Sequence, residues 1–228
     1  MAVTVVSLGL LVGICGCSSK AAAKPTIRSE KADSASLIKP GPGLFKSHEF
    51  RSTLKALPDW KRVMASADQQ TKTFADCQKD CSSAALSWQK MLRQTATLPP
   101  YEQLKTVNSF FNRWPYRLDI DVYGVNDYWA TPEEFLKLSG DCEDYSITKY
   151  YALKQLGFAV DDLRIVLLKD SIRNMSHAVL AVNYGEDIYI LDNMSDLLLS
   201  HLKYDHYIPQ YSVNEFHRWA HVSPQTIY

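Results

Sequence analysis

The stretch Ser139-Gly140-Asp141-Cys142-Glu143-Asp144-Tyr145 (SGDCEDY) places one cysteine among three carboxylates, directly before an apolar pattern with helical spacing. A thiol becomes a nucleophile by losing its proton, and neighbouring anions oppose that loss. The pattern predicts a helix from Asp141 to Gly157, with the glycine as its C-terminal cap. Cys142 then lies in the first turn, where unpaired backbone N–H groups stabilise a thiolate and can donate to an oxyanion. The helix start therefore offsets part of the effect of the acidic neighbours.

Helices are predicted before this stretch. Thr131, Pro132 and Glu134 are typical of a helix start, as N-cap, first helical residue and capping-box partner, and this short helix ends at Ser139-Gly140. Between it and the earlier helices, residues 116–129 are acidic, aromatic and non-periodic, which predicts an ordered loop. Apolar residues recur at helical intervals in three earlier segments, residues 49–67, 84–97 and 101–114.

After the central helix the pattern changes to strands. Residues 163–168, 178–184 and 188–191 are apolar or alternating and rich in β-branched side chains. A turn at 184–187 joins the last two into a hairpin, and residues 213–220 are predicted as a short helix. Helices followed by an antiparallel sheet indicate the α+β class.

The hairpin brings a candidate base and a candidate orienting group together. If Ile188 pairs with Asn183, His177 faces Met194, and Asp192 lies diagonally adjacent on the same face. Cys142, His177 and Asp192 then supply a nucleophile, a base and an orienting carboxylate.

Each of these three residues alone has an ordinary structural explanation. A cysteine at a helix start is commonly a small packed side chain, a histidine at a strand start is commonly half-buried, and Asp-Asn after a strand is commonly a turn. The combination of three roles on three nearby elements is what favours catalysis.

The N-terminus has the features of an export signal. Residues 3–14 form an apolar run of signal-peptide length, and Ile14-Cys15-Gly16-Cys17-Ser18-Ser19 resembles a bacterial lipobox with Cys17 as the lipidated residue. Simple secretion with signal cleavage is the alternative. We therefore predict a signal peptide over 1–17, a flexible tether over 18–45 rich in Ser, Ala, Lys, Pro and Gly, and a single domain over 46–228.

The charge composition argues against nucleic acid as a partner. Lys plus Arg and Asp plus Glu both number 25, so the net charge is zero and no basic surface for nucleic acid is expected.

Cys77 and Cys81 are four residues apart and suit either a short disulfide or two partly buried thiols. With no histidine nearby, a zinc site is unfavourable there.

Several motifs resemble those of a known family, the bacterial transglutaminase-like cysteine proteinases, and within it the LapG-type periplasmic adhesin proteases. The resemblance spans about residues 88–193. The motifs that carry it are Asn108-Ser109-Phe110-Phe111-Asn112, Asp127-Tyr128-Trp129-Ala130-Thr131-Pro132, Gly140 to Tyr145, Lys149-Tyr150, Leu156-Gly157, His177-Ala178-Val179-Leu180 and Leu191-Asp192-Asn193.

The resemblance implies a papain/transglutaminase-like cysteine protease core. It implies Cys142 as nucleophile, His177 as general base and then acid, and Asp192 as orienting residue, with peptide hydrolysis through a thioester. Family members cut a large repeat adhesin near its N-terminus at a di-alanine site and so release cells from a biofilm. An inner-membrane receptor for cyclic di-GMP inhibits them, and they need calcium.

The calcium requirement gives the acidic stretch a function. The resemblance supports Asp141 and Glu143 most as ligands, and Asp144 is added because carboxylate oxygens suit Ca²⁺. Asp119 and Asp121 are further candidates in the preceding loop. The alternative is that the carboxylates only complement the helix dipole.

Two other functions stay open at the level of sequence. The same triad could perform transglutaminase-like acyl transfer, and the fold could serve as a catalytically idle binding module. The presence of all three triad residue types argues against the binding module.

Overall fold

The computed structural model describes residues 43–54 and 57–223. The predicted signal peptide, Cys17 and the predicted tether as far as residue 42 lie outside the described residues. Leu44 and Phe45, which the prediction assigned to the end of the tether, belong to the folded domain. Both are buried and form a 3-10 turn with Lys46.

The described residues form six α-helices and seven strands, and one strand precedes the helices while six follow them. The helices are α1 Pro58–Asp76, α2 Ser83–Thr95, α3 Pro100–Phe111, the single turn α4 Asp119–Val122, α5 Pro132–Leu138 and α6 Cys142–Gln155. The strands are β1 His48–Ser52, β2 Leu163–Asp170, β3 Met175–Tyr184, β4 Asp187–Asp192, β5 Ser195–Ser200, β6 Tyr207–Val213 and β7 Arg218–Val222. The predicted α+β class is confirmed.

The predicted start of the first helix, residues 49–67, is wrong. Residues 48–52 form β1, and α1 begins at Pro58, which occupies the first turn. Proline suits that position because its missing N–H would be unpaired there and its φ is already helical. Pro58 therefore begins the helix instead of interrupting it.

The strands form one antiparallel sheet in the order β1-β7-β6-β2-β3-β4-β5. The predicted helix over 213–220 is wrong, because this segment contains the end of β6 and the start of β7. Trp219 and His221 are buried while Ala220 between them is exposed, the period-two pattern of a strand. The β1–β7 ladder joins residue 48 to residue 222.

Helix α6 lies at the centre of the domain, packed on β3, β2 and α3. Every residue from Glu143 to Leu153 is buried, which explains why α6 lacks a solvent face. The helices and one face of the sheet share the larger apolar core. A smaller core covers the opposite face, where Val179 and Ile190 contact Phe45, Tyr204 and Tyr207.

Cys77 and Cys81 form a disulfide bond, one of the two states that the spacing allows. The bridge is not intrahelical, because α1 ends at Asp76 and the two cysteines lie in the loop before α2. Gln89 of α2 donates to the Cys77 carbonyl over 2.7 Å. Within the two described ranges, no helix has both the length and the apolar character needed to cross a bilayer.

Candidate active site

The turn between α5 and α6 places Cys142 as the first residue of α6. Ser139 ends α5 with a positive φ of 67°, and Gly140 follows it. A Cβ at Gly140 would lie 2.0 Å from Asp144 Oδ2, so only glycine allows the chain to pass this carboxylate. The Asp144 carboxylate accepts the backbone N–H of Asp141 over 3.1 Å and that of Ala130 over 2.6 Å. The predicted helix start and its acidic first turn are confirmed.

The hairpin brings His177 and Asp192 into contact. Asn183 pairs with Ile188, the register that the sequence predicts. His177 Nε2 lies 3.0 Å from Asp192 Oδ1, and both side chains are buried. Asp192 therefore holds one nitrogen of the imidazole and leaves Nδ1 for another partner.

Asp192 receives two further hydrogen bonds. Tyr207 Oη donates to Asp192 Oδ2 over 2.6 Å, and the Met194 N–H donates to Oδ1 over 2.9 Å. Burial alone would raise the pKa of Asp192, but the hydrogen bonds and the attraction of His177 outweigh burial and hold that pKa below its usual range. The carboxylate is thus kept ionised beside the imidazole.

The thiol lies against the strand that carries His177. The backbone N–H of Ala178, the residue after His177, acts to lower the pKa of Cys142, although burial and the neighbouring carboxylates outweigh this effect. Cys142 and His177 line one pocket of about 350 Å³ together with Tyr116, Trp129 and Gln210. Sulfur and imidazole therefore face the same space, as a nucleophile and its base must.

The carboxylates near Cys142 oppose its ionisation. The thiol donates to Glu143 Oε2 over 3.3 Å. Burial, together with the charges of Glu143 and Asp141, raises the pKa of Cys142 well above its ordinary value. Charge compensation near Glu143 and Asp141 is what would favour the thiolate.

Five acidic side chains form a cluster beside the thiol. Burial and mutual repulsion raise the pKa of Glu143 to about 10 and that of Asp119 to about 6, and they also raise the pKa values of Asp141 and Asp144. Carboxylate oxygens that lie within 4.8 Å of one another form the sets Asp119–Asp141–Asp144 and Asp119–Asp127–Glu143. Such a cluster costs folding free energy unless protons or a cation neutralise it.

The cluster fits a hard divalent cation. Asp119 Oδ1 and Asp141 Oδ1 are buried and have no hydrogen-bond partner in the part of the chain that the structure describes, so both are available as ligand atoms. An all-oxygen donor set of this charge is what Ca²⁺ prefers. Of the two further predicted ligands, Asp119 belongs to the cluster, whereas Asp121 is exposed and lies in none of these sets.

Three residues near the site were not assigned a role from sequence. Tyr207 begins β6, a strand that is not predicted from the sequence, and Asp127 belongs to one of the family motifs and to the acidic cluster. Tyr116 lines the pocket that holds Cys142, and it pairs with Gly140 through a parallel bridge. Local sequence does not mark these three residues, because Tyr116 and Asp127 belong to the 116–129 segment and Tyr207 to β6, and tertiary packing brings both segments to the site.

A second pocket adjoins the thiol pocket and shares His177 and Tyr116 with it. Its volume is about 470 Å³, and Leu118, Tyr145 and Met175 contribute apolar surface. His177 therefore lines both pockets.

The solved structures that match this chain include three of one protein. Legionella pneumophila LapG is 30% identical to this chain, with a TM-score of 0.56, 68% of this chain covered and 87% of that one. The EGTA-treated form of that protein matches at 28% identity and a TM-score of 0.56, covering 71% of this chain and 92% of that chain. Its calcium-bound form matches at 28% identity and a TM-score of 0.57, covering 68% and 87%.

Two sequence comparisons complement the structural matches. The search of curated proteins finds no match. The family model described as bacterial transglutaminase-like cysteine proteinase BTLCP matches residues 64–226, which is most of the described domain and includes the whole site. The chain therefore belongs to the bacterial transglutaminase-like cysteine proteinases.

Proposed function

We propose that this protein is a calcium-dependent cysteine endopeptidase that cleaves a large cell-surface adhesin near its N-terminus, at a di-alanine site, and so controls attachment in a biofilm. The observation that carries the enzymatic part is the His177–Asp192 hydrogen bond at the wall of the pocket that holds Cys142. The adhesin, the cleavage site and the biofilm role are supported by the resemblance of the motifs to LapG-type proteases.

The proposed reaction proceeds through a thioester. His177 Nδ1 takes the proton of the Cys142 thiol, because Nε2 is engaged by Asp192. The sulfur attacks the peptide carbonyl, the C–N bond breaks, and the imidazolium gives its proton to the leaving amine. Water then attacks the thioester with His177 again as base, which releases the acid product and the free thiol. Backbone N–H groups at the start of α6 are available to the oxyanion.

Calcium is the proposed cofactor, with Asp119, Asp141, Glu143 and Asp144 as its candidate ligands. When bound, a divalent cation would offset the negative charge around Cys142 and favour its thiolate. Asp144 has a second role, because both its oxygens already accept backbone N–H groups that shape the start of α6.

The periplasm is the proposed location. The leader predicted over 1–17 and the lipobox at Cys17 support export, with lipid attachment as the proposed tether. An inner-membrane receptor for cyclic di-GMP is the proposed inhibitor, on the strength of the same family resemblance. A lipid tether would confine the protease to one membrane and to the substrates that reach it.

The first experiment tests whether Cys142 is activated. Alkylation of Cys142 by iodoacetamide is followed by mass spectrometry of the peptide that carries it, for the wild type and for His177→Ala. A faster rate in the wild type supports the nucleophile–base pair. Equal rates would favour the idle binding module.

The second experiment tests the reaction class. The protein is incubated with an N-terminal adhesin fragment containing a di-alanine sequence, with and without a labelled amine. Cleavage without amine incorporation supports hydrolysis, whereas amine incorporation supports acyl transfer. We expect EGTA to abolish cleavage and added Ca²⁺ to restore it; full activity in excess EGTA would contradict the calcium requirement.

A further inference from the structure

A fully buried lysine lies two helical turns beyond the nucleophile. Lys149 is on α6, seven residues after Cys142, and its exposed fraction is 0%. Lysine is almost never fully buried unless it is paired, because removing its charge from water is costly. The proposed chemistry does not use Lys149, so its burial needs another explanation.

Two asparagines of α3 hold the ammonium group. Lys149 Nζ donates to Asn108 Oδ1 over 2.8 Å and to Asn112 Oδ1 over 2.7 Å. Burial lowers the pKa of Lys149 to about 7, and the attraction of the Asp192 and Asp196 carboxylates opposes part of this shift. Among the described residues, no carboxylate lies within ion-pair distance of Lys149 Nζ, so the pairing depends on the two amides.

The same asparagines hold the turn that follows β4. Asn112 Nδ2 donates to the Asp192 carbonyl over 2.9 Å and to Asp196 Oδ1 over 2.9 Å, and it also lies 3.1 Å from the Ser195 carbonyl. Asn108 Nδ2 donates to that Ser195 carbonyl over 2.8 Å. The turn at 192–196 is therefore fastened to α3 through amide donors, and it begins with the residue that orients His177.

Lys149 fixes the direction of both amides. The ammonium group has donors and no acceptor, so each asparagine must turn its oxygen toward Nζ and its NH₂ group toward the turn. An apolar side chain at 149 would leave two buried oxygens unpaired and would allow the amides to rotate. A rotated Asn112 would place an oxygen against the Asp192 carbonyl.

We propose that Lys149 is a positioning residue: through Asn108 and Asn112 it holds the 192–196 turn, and with it the carboxylate that orients His177. The helix that carries the nucleophile is thereby tied to the strand end that carries the orienting group. This inference rests on the proposed function, because it concerns the His177-dependent reactivity of Cys142.

The test compares Lys149→Met with a matched lysine on the same helix. Lys154 is ion-paired with Asp68 and Glu215 at 2.7 and 2.5 Å, and these contacts lie outside the 192–196 turn. Cys142 alkylation by iodoacetamide is measured across a pH series, at a temperature where circular dichroism shows each variant folded. We expect Lys149→Met to lose about tenfold in rate, with the pH profile moving toward that of His177→Ala, and Lys154→Met to stay within about twofold of wild type.

A second variant keeps the test decisive if Lys149→Met does not fold. Asn112→Asp retains an acceptor for Lys149 Nζ but removes the N–H that reaches the Asp192 carbonyl. We expect it to lose reactivity as Lys149→Met does. A folded Asn112→Asp with the wild-type rate and pH profile would overturn the inference, as would the same result for a folded Lys149→Met. If wild type and His177→Ala react equally, it is the proposed function that fails.

Discussion

The substitution Tyr207→Phe removes one hydroxyl group from a buried contact with the orienting carboxylate. Tyr207 Oη donates to Asp192 Oδ2 over 2.6 Å, and both residues are at most 5% exposed. Phenylalanine keeps the ring and its packing but leaves Oδ2 without this donor. A hydrogen bond to a charged group contributes about 1.5–3 kcal/mol, so we expect the free energy of unfolding to fall by about 2 kcal/mol at pH 7.

The loss should depend on pH in a defined direction. The folded-state pKa of Asp192 is lowered, so its contribution to stability is present above the unfolded pKa and is lost as pH falls through the folded pKa. Tyr207→Phe raises the folded pKa toward the unfolded one. The stability difference between wild type and variant should therefore be largest near neutral pH and shrink in acid, as Asp192 becomes protonated in both proteins.

Tyr204→Phe is a matched control for this measurement. Tyr204 stacks on Tyr207 with ring centroids 5.0 Å apart, and its buried hydroxyl has no hydrogen-bond partner within residues 43–54 and 57–223. Urea unfolding followed by circular dichroism, from pH 7 downward, gives the three stabilities. The reasoning is refuted if Tyr207→Phe matches wild type at pH 7, if Tyr204→Phe is equally destabilising, or if the difference does not vary with pH.

Three further predictions concern the surroundings of the site. Gly140→Ala would place a Cβ 2.0 Å from the Asp144 carboxylate. We expect the free energy of unfolding, measured by thermal unfolding, to fall by about 1–3 kcal/mol. An unchanged midpoint would contradict the close approach. Asp119→Asn removes one charge from the acidic cluster, and calorimetric titration should show Ca²⁺ binding weakened by about tenfold or more, whereas equal affinity would exclude Asp119 as a ligand. Replacing both Cys77 and Cys81 with serine opens a short loop, and the free energy of unfolding measured in urea should fall by about 2 kcal/mol. The rate of Cys142 alkylation should stay unchanged and serves as the control.

Local sequence was sufficient where local physics decides the structure. The capping box at Thr131 and Glu134 forms as predicted, and α6 begins at Cys142, one residue after the predicted start. The β3–β4 register follows from a short turn that leaves little freedom in pairing. His177 and Asp192 are only fifteen residues apart, so this register brought them together.

Local sequence failed where distant segments compete for the same residues. The segments at 49–52 and 213–220 have apolar spacing that a helix could also use, yet they pair as β1, β6 and β7. Strand preference depends on the neighbouring strand and on burial more than on intrinsic propensity. Those neighbours are about 170 residues apart along the chain for β1 and β7, so no local window contains them.

The sequence by itself determined the chemical groups of this protein: a thiol at a helix start, an imidazole and a carboxylate on one hairpin, and a run of hard oxygen ligands. Tertiary structure alone decided which other groups join them. Tyr207 reaches Asp192, Asp119 reaches Asp141, and Lys149 reaches the 192–196 turn through α3. These contacts depend on helix packing and sheet order, which arise from burial of the whole core and are not encoded in the spacing of neighbouring residues.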